Sequence, residues 1–332
     1  MRPVRLERVD PFDDQQLAEV LALETAARAV DQPYDPPPAP TAFRAGRRYG
    51  WDGTPGGEWL HRDDGGRPNG SLRVQLPDRA NSHAAVCHVL VHPRARRQGL
   101  GRRLYERLEE LARQPGRRVL IGRSWDAPAP RAFAGSLGFT LKRVKLHLRQ
   151  DLRALDWDRI DQLRGPAQRA AGDYTLFRLD GPVPEGQLDE VAAMESAIND
   201  SPRGGLDLAN IPVTAERIRA GERFVARAGL RRYRLVARHG RDGPLAGHTV
   251  VYIDPEQPRY GTQDDTSVLA EHRGHRLGML LKSEMLFVLA AEEPDLRWID
   301  TDNDGSNHHM IAINEALGYR VKARQLGWQR HL

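Results

Sequence analysis

HVLVHPRARRQGLGRRL, residues 88–104, and TSVLAEHRGHRLGMLLK, residues 266–282, are the two stretches that decide the fold of this chain. Each pattern predicts an apolar strand, a turn that contains glycine, and a helix with leucines at helical spacing. At such a junction, backbone N–H groups without intrahelical partners point outward at the positive end of the helix dipole. A phosphate reaches them only where no β-carbon intervenes, so both turns are candidate phosphate-binding turns.

The sequence around the two turns is repeated. Residues 4–27 predict a short strand, a polar turn and a helix, and residues 174–197 repeat that order. Both halves continue with strands that lead into the turns, and then alternate strands with helices. The predicted strands are 58–62, 70–76, 84–91 and 119–122 in the first half, and 232–238, 245–253, 261–269 and 298–301 in the second. The helices after the turns are predicted over 99–113 and 277–291.

This order of elements predicts an α/β (α+β) chain with two tandem domains. Each domain is expected to be a mixed, mostly antiparallel sheet flanked by helices. The predicted boundaries are 1–150 for the first domain and 174–332 for the second, with 151–173 as a linker that carries a short helix of its own.

Length and composition limit the possible functions. The chain has 332 residues, which fits two domains of about 150 residues each. It has no apolar run near the roughly 18 residues that a membrane span needs, and its arginines are scattered among acids, so we expect neither a membrane nor a nucleic-acid partner.

Cys87 is the only cysteine and lies in an apolar strand, which excludes internal disulfides, and we expect no metal site. The N-terminus shows no signal-peptide pattern, so we expect a cytoplasmic protein.

The order of motifs resembles the GNAT superfamily of acetyl-CoA-dependent N-acetyltransferases. The shared pattern is Val-x-Val-x-Pro, then Arg-x-x-Gly-x-Gly, then a Leu-Gly-Phe/Tyr phrase, and it covers nearly the whole chain twice. Arg96, Gly99 and Gly101 match it fully in the first half. In the second half Arg276 stands where the first glycine is expected, and Gly274 two residues earlier is expected to keep the loop open. A dinucleotide-binding glycine motif is missing from both halves.

The resemblance implies acetyl-CoA as the acyl-donor cosubstrate of one or both halves. Two groups of residues would hold it, the phosphate turns and the strands that precede them. The turn residues are Arg96, Arg97, Gln98, Gly99, Leu100, Gly101 and Arg102, and Arg273, Gly274, His275, Arg276, Leu277 and Gly278. The strand residues, whose backbone would bind pantetheine and the thioester oxygen, are Val89, Val91, Thr266 and Val268.

The family places its general base on the strand before the turn, which points to Asp264 in the second half. In a regular strand Asp265 would point the other way. In the first half the equivalent positions, Ala85 and Cys87, offer no base, and His88 projects to the opposite face together with His92, where both are interpreted as structural.

The resemblance also implies an asparagine that contacts the cofactor and, seven residues later, a tyrosine as general acid. The second half has Asn307 at the first position and Asn314 at the second, so Asp264, Asn307 and Asn314 are the candidate catalytic residues. In the first half both positions are alanine. The general acid stays unassigned, with Tyr252, Tyr260 or water as candidates.

Two hypotheses therefore stay open. In the first, the second half is an N-acetyltransferase for the primary amine of a small molecule, and the first half is a CoA-binding or structural partner. The acceptor would lie near Glu195, Asn199, Asp207 and Asn210. In the second, both halves have lost turnover and the chain is an acyl-CoA sensor or scaffold. A monomer and a homodimer are both compatible with the sequence.

Overall fold

A computed structural model describes residues 5–113 and 116–332, and the chain divides into two compact units. The expectation of no signal peptide rests partly on residues 1–4, which lie outside this range. The first unit contains the chain up to Arg143 together with Gly205–Ala209 and Gln325–Leu332. The second contains Val144–Gly204 and Asn210–Arg324.

Helices and strands follow the predicted order in both halves. The first half contains β1 (Glu7–Arg8), α1 (Asp14–Asp31), α2 (Pro40–Tyr49), β2 (Gly57–Arg62), β3 (Pro68–Gln75), β4 (Ala84–Val91), α3 (Leu100–Ala112), β5 (Val119–Trp125), α4 (Pro128–Ser136) and β6 (Thr140–Asp151). The second half contains α5 (Trp157–Ala170), β7 (Tyr174–Arg178), α6 (Leu188–Glu195), α7 (Ala215–Ala228), β8 (Arg231–His239), β9 (Leu245–Ile253), β10 (Tyr260–Val268), α8 (Leu277–Glu292), β11 (Trp298–Asp304), α9 (His308–Ala316) and β12 (Arg320–His331).

Each unit has a mixed, mostly antiparallel sheet, as the sequence predicts. The strand order is β1-β2-β3-β4-β5-β12 in the first unit and β6-β11-β10-β9-β8-β7 in the second. Among the described pairs within the units, β4–β5 and β10–β11 are parallel and the others are antiparallel. The predicted fold class, two tandem α/β domains, is therefore confirmed.

The last strand of each sheet comes from the far end of the other half of the sequence. In the first unit, Gln325–His331 of β12 pair antiparallel with Val119–Trp125. In the second unit, Lys145–Asp151 of β6 pair antiparallel with Trp298–Asp304. The units therefore differ from the domains predicted from the repeat, because sequence similarity follows the order of the chain whereas strand pairing does not.

The segment 151–173, interpreted above as a linker, contains helix α5 and lies in the second unit. Asp156 caps the helix by accepting a hydrogen bond from the backbone N–H of Arg159 at 2.9 Å. Ile160 and Ala167 are buried in the same core as the leucines of α8. The burial of this face gives the segment a structural place in the second unit.

Apolar residues bury both faces of each sheet. In the first unit, α3 covers one face through Leu104 and Leu108, and α1 covers the other through Leu17 and Val20. In the second unit, the corresponding helices are α8 and α6. The helices from the phosphate turns and the first helices of each repeat thus lie on opposite faces. Among the described residues, no helix has the length and apolar character required to cross a bilayer.

Candidate active site

Both phosphate turns have the same backbone conformation, reached with different residues. In the first turn Arg97 has φ 64° and Gly99 has φ 78°, and in the second Gly274 has φ 89° and Arg276 has φ 55°. Each turn thus has two left-handed positions, one occupied by glycine and one by arginine, in exchanged order. Left-handed backbone costs a non-glycine residue roughly 1–2 kcal/mol. Each turn therefore contains one strained arginine, and the surrounding structure maintains its conformation. The departure at Arg276 therefore preserves the loop, as expected from Gly274.

The second glycine of each turn lies in the first turn of the helix, where packing does not demand glycine. A β-carbon added at Gly101 would lie 3.5 Å from Phe133, and one at Gly278 would lie 3.5 Å from Ile313. Both are ordinary contact distances, so the protein itself has room for a larger residue. A helix N-terminus kept bare in this way fits a phosphate that approaches the backbone N–H groups.

Arg96 and Arg273, which occupy equivalent positions in the two turns, hold the loops in place. Arg96 donates from Nε to the carbonyl oxygen of Val91 at 3.1 Å and pairs with Asp31 through two bonds of 2.7 Å. Arg273 repeats this arrangement: its Nε donates to Val268 at 3.0 Å and its Nη2 to Asp200 at 2.6 Å. Both guanidiniums therefore form their hydrogen bonds with the protein itself, and they connect each turn to the end of the preceding strand.

The other predicted turn residues divide into anchors and exposed groups. Leu100 and Leu277 are buried and fix the start of each helix in its core. Arg97, Gln98, Gly99 and Arg102 are exposed, as are Gly274, His275 and Arg276. Gln98 Nε2 donates to Arg94 O at 3.3 Å, Arg102 Nη2 donates to Ser136 Oγ at 3.3 Å, and the rings of His275 and Tyr174 lie 5.3 Å apart.

The parallel strands before each turn part partway along their length. Strand β4 pairs with β5 only from Ala84↔Val119 to Cys87↔Gly122, and β10 pairs with β11 only from Tyr260↔Trp298 to Thr262↔Asp300. The predicted backbone-binding residues lie beyond these points, at Val89 and Val91 and at Thr266 and Val268. On the side that faces β5 or β11, the backbone groups of these four residues form no hydrogen bond of the described parallel pairs.

A β-bulge lies where β10 leaves β11, so the condition of a regular strand, on which the opposite directions of Asp264 and Asp265 depended, does not hold here. Gln263 opposes Val251 and Thr266 opposes Thr249, so Asp264 and Asp265 together face the single residue Val250. Gln263 Nε2 donates to the carbonyl oxygen of Val250 at 2.7 Å, and the hydroxyls of Thr249 and Thr266 lie 2.7 Å apart. The extra residue removes the alternation that separated the two aspartates.

The two aspartates of the bulge differ in their partners. Asp265 Oδ2 lies 2.8 Å from His248 Nε2 and accepts from Ser267 Oγ at 3.0 Å, so it is held on the sheet. Asp264 forms no hydrogen bond or ion pair with any residue that the structure describes. Asp264 is therefore the carboxylate that is available to a ligand.

Asp264 has an unusual protonation equilibrium. Solvent still reaches its side chain, yet protein atoms crowd it closely enough that desolvation raises its pKa to about 6, with a further contribution from Asp265. Nearby, Arg234 is buried and pairs with Glu195 at 2.8 Å. Burial and the charge of Asp264 also raise the pKa of the Tyr252 phenol. A pKa near 6 leaves Asp264 ionised and basic at neutral pH.

The two candidate asparagines stand in α9 with different surroundings. Asn307 is the N-cap of the helix, and its Oδ1 accepts from the backbone N–H of Met310 at 3.2 Å, which leaves its amide donors for a ligand. Asn314 is buried and donates to Asn303 Oδ1 at 2.6 Å. Because Asn314 is enclosed and has no readily released proton, its place in the structure is that of a support between α9 and β11.

His88 of the first unit, interpreted from the sequence as structural, lies on the face of the sheet that corresponds to the face of Asp264 in the second unit. Ala85 and Cys87 pack in the core beside α3, as expected of residues that offer no base, and burial raises the pKa of the Cys87 thiol to about 12. His88 lies on the opposite face, toward α1. Since the bulge moves Asp264 to the α6 face, it is His88 that occupies the corresponding face of the first unit. The signal for this correction, an extra residue in β10, exists only in the strand register.

Comparisons with known proteins agree with this geometry. The model of the Acetyltransferase (GNAT) family matches residues 22–139. A mycothiol acetyltransferase of Geodermatophilus obscurus is 34% identical over 152 residues, which cover 45% of this chain and 46% of that protein. The chain thus matches about half the length of this curated relative.

Solved structures extend the similarity to both halves. A tandem GNAT protein from the clavulanic acid biosynthesis pathway, solved without acetyl-CoA, is 30% identical with a TM-score of 0.83, and the match covers 99% of this chain and 98% of that one. A GCN5-related N-acetyltransferase from Sphaerobacter thermophilus shares the fold, with a TM-score of 0.66 at 16% identity over 100% of this chain and 96% of that one.

The two turns, the parting strands and these similarities define a tandem protein with an acetyltransferase fold in each half. The chain belongs to the GNAT acetyltransferase family.

Proposed function

We propose that the second unit transfers an acetyl group from acetyl-CoA to the primary amine of a small molecule, with Asp264 as the general base. The observation that carries the proposal is the unpartnered Asp264 carboxylate, with a pKa raised to about 6, at the bulge where β10 leaves β11. An amine in water is mostly protonated at neutral pH and must lose a proton before it attacks a carbonyl carbon. Asp264 would take that proton, directly or through one water.

Acetyl-CoA fits the bare N-terminus of α8 and the parted strands, and when bound it supplies an acetyl thioester with a thiolate leaving group. The backbone N–H groups around Gly274, Arg276 and Gly278 would hold its phosphates, and the backbone of Thr266 and Val268 would hold its pantetheine arm. Asn307 has amide donors left for the same ligand. Tyr252 is close enough to Asp264 for the carboxylate charge to raise the pKa of the phenol, and it is the strongest candidate for returning a proton to the thiolate.

The charges around Asp264 favour a cationic acceptor. Asp264 is close enough to Asp265 and Glu195 for both charges to raise its pKa, and Glu195 is already paired with Arg234. A protonated amine would therefore meet an acidic site before it loses its proton. Among the described residues of the first unit, His88 and not a carboxylate lies at the corresponding place, which supports placing the transfer step in the second unit.

The proposal is tested by following free thiol release from acetyl-CoA with a panel of primary amines, using matched variants of the two turns. Gly278→Glu places a carboxylate where a phosphate is expected in the second unit, and Gly101→Glu does the same in the first. We expect Gly278→Glu to lower kcat/KM for acetyl-CoA by at least about tenfold, and Gly101→Glu to leave it within about twofold.

Two results would contradict the assignment. If Gly101→Glu abolishes turnover and Gly278→Glu does not, the first unit is the catalytic one. If no amine is acetylated while acetyl-CoA still raises the melting temperature, the chain is an acyl-CoA sensor, the alternative that the absence of the tyrosine at Asn314 allows.

A further inference from the structure

A row of charged side chains crosses the first unit beside the point where β4 and β5 part. Glu58 of β2, Arg73 of β3 and His88 of β4 are direct neighbours across the three strands and therefore share one face of the sheet. His88 is the first residue after the last β4–β5 pair, Cys87↔Gly122. The row thus ends where a ligand could enter between the strands.

The acidic end of this row is already neutralised. Arg47 donates from Nε to Glu58 at 2.7 Å and forms a second ion pair with Glu24. One guanidinium thus binds both carboxylates, and Glu58 is buried. The shared use of Arg47 holds α1, α2 and β2 together and leaves no carboxylate bonded to Arg73.

Arg73 is the unsatisfied member of the row. It is partly buried, its Nε is enclosed without a hydrogen-bond partner, and it forms no hydrogen bond or ion pair with any described residue. A partly desolvated guanidinium without an acceptor is costly, because each of its N–H groups has lost water without gaining a partner. Burial accordingly lowers the pKa of Arg73, and the charge of Arg47 adds to the effect.

His88 stands next to Arg73 as a neutral polar group. The His88 side chain is exposed to solvent, yet the protein atoms around it lower its pKa to about 4 by desolvation, and the charges of Arg123 and Arg47 contribute in the same direction. At neutral pH the imidazole therefore offers one N–H donor and one acceptor nitrogen. His88 forms no hydrogen bond with any described residue, so both nitrogens remain for a ligand.

The second unit has the opposite charge on the same face. There Arg234 forms an ion pair with Glu195 through Nη2 while its Nε and Nη1 lack a hydrogen-bond partner, and the Asp264 carboxylate forms neither an ion pair nor a hydrogen bond with any described residue. In the first unit the unpartnered groups are a guanidinium and a neutral imidazole. An ammonium group would be repelled by Arg73, whereas an anion would supply the acceptors that Arg73 lacks.

We propose that the first unit binds a small carboxylate on Arg73 and His88, beside its own phosphate turn. The guanidinium fork matches the two oxygens of a carboxylate, and the imidazole N–H can donate to one of them. The site needs no transfer activity in either unit, so it stands independently of the proposed amine acetylation. The first half then serves as a binding domain for an anionic ligand and is not simply a degenerate copy of the second half.

The site is tested on the full chain with benzoate, acetate and inorganic phosphate as probes at constant ionic strength. The histidine imidazole signals are followed by NMR, with the His88 signals assigned from His88→Gln. We expect saturable shifts of the His88 signals with benzoate or acetate, and at least a tenfold weaker affinity in Arg73→Gln. Arg73→Lys, which keeps the charge without the fork, should be intermediate, and Arg107→Gln, at an exposed ion pair of α3, should match the unmodified chain.

Three results would overturn the proposal. The His88 signals could stay unchanged up to about 50 mM carboxylate, which corresponds to less than about 2 kcal/mol of binding free energy. Arg73→Gln and Arg73→Lys could both bind benzoate as tightly as the unmodified chain. Phosphate could bind in an Arg73-dependent way more tightly than either carboxylate, which would replace the carboxylate with a phosphate as the ligand.

Discussion

At the scale of the single residue, burial controls which groups carry charge in this protein. Lys282 of α8 is almost fully enclosed, forms no ion pair with any described residue, and has its Nζ 5.1 Å from the centre of the Tyr319 ring. Desolvation lowers its pKa to about 7. The aromatic face offsets only part of the cost of burying an ammonium group.

We expect Lys282→Met to stabilise the protein. The pKa of Lys282 is lower in the folded state than the unfolded value of about 10.4, so between pH 7 and about 10.4 the unfolded state binds more protons and stability rises with pH. The penalty is therefore fully present at and below pH 7. Replacing the ammonium with a thioether should raise the free energy of unfolding by about 1–3 kcal/mol at pH 7, measured by urea denaturation.

The gain from Lys282→Met should shrink as the pH approaches about 10. Lys142→Met is the matched control, because Lys142 lies in the first unit on the partly exposed strand β6. An equal gain at all pH values, or a loss of stability at pH 7, would show that Lys282 is charged and paired in the folded protein.

At the scale of the element, the sequence predicts what repeats locally. Strand alternation located β4 and β10, and the glycines located both turns, because these features depend on neighbours in the chain. The bulge at Asp264 could not be predicted in this way, since one extra residue between Gln263 and Thr266 leaves the apolar pattern unchanged and appears only in the pairing with β9. Because the bulge changes the face on which Asp264 lies, the sequence also did not show that His88 lies on the corresponding face of the first unit.

Gln263 supports the bulge, and we expect Gln263→Leu to weaken it. The side chain is buried, and its Nε2 donates to the carbonyl oxygen of Val250 at 2.7 Å and to Thr249 Oγ1 at 3.1 Å. Loss of these bonds removes this donor from the carbonyl oxygen of Val250 and leaves Thr249 Oγ1 with the Thr266 hydroxyl alone, and it should cost about 1–3 kcal/mol in thermal or urea unfolding. Thr262→Leu, at an exposed position of the same strand, is the control and should change stability by less than about 0.5 kcal/mol. Equal stabilities of the two variants would mean that the bulge does not depend on Gln263.

At the scale of the whole molecule, strand pairing crosses the repeat. Residues Gln325–His331 pair with β5 and belong to the first unit, although they lie at the end of the second repeat. The repeat in the sequence predicts a boundary near residue 150 because each repeat contains a complete set of strands. Which final strand joins which sheet depends on long-range packing that the local pattern does not contain.

The crossing predicts the behaviour of fragments. Residues 1–143 alone lack the strand that pairs with Val119–Trp125, so β5 has an unpaired edge, and we expect aggregation in size-exclusion chromatography. The same fragment joined through a flexible linker to residues 325–332 should be monomeric and melt cooperatively. If the fragment 1–143 alone is monomeric with the same melting temperature, the added strand contributes nothing to the first unit.

The central claim is that Asp264 is the general base of the second unit. It is tested most directly by the pH dependence of kcat/KM for the amine, measured with saturating acetyl-CoA. In the unmodified chain the rate should rise as the pH increases through about 6, because the protonated carboxyl cannot accept a proton. Asp264→Asn should lower the rate by about 10²–10⁴-fold and remove the dependence on a group with a pKa near 6, while Asp254→Asn, directly after the end of β9, should keep both the rate and this dependence. A rate and a pH profile that are unchanged in Asp264→Asn would contradict the account.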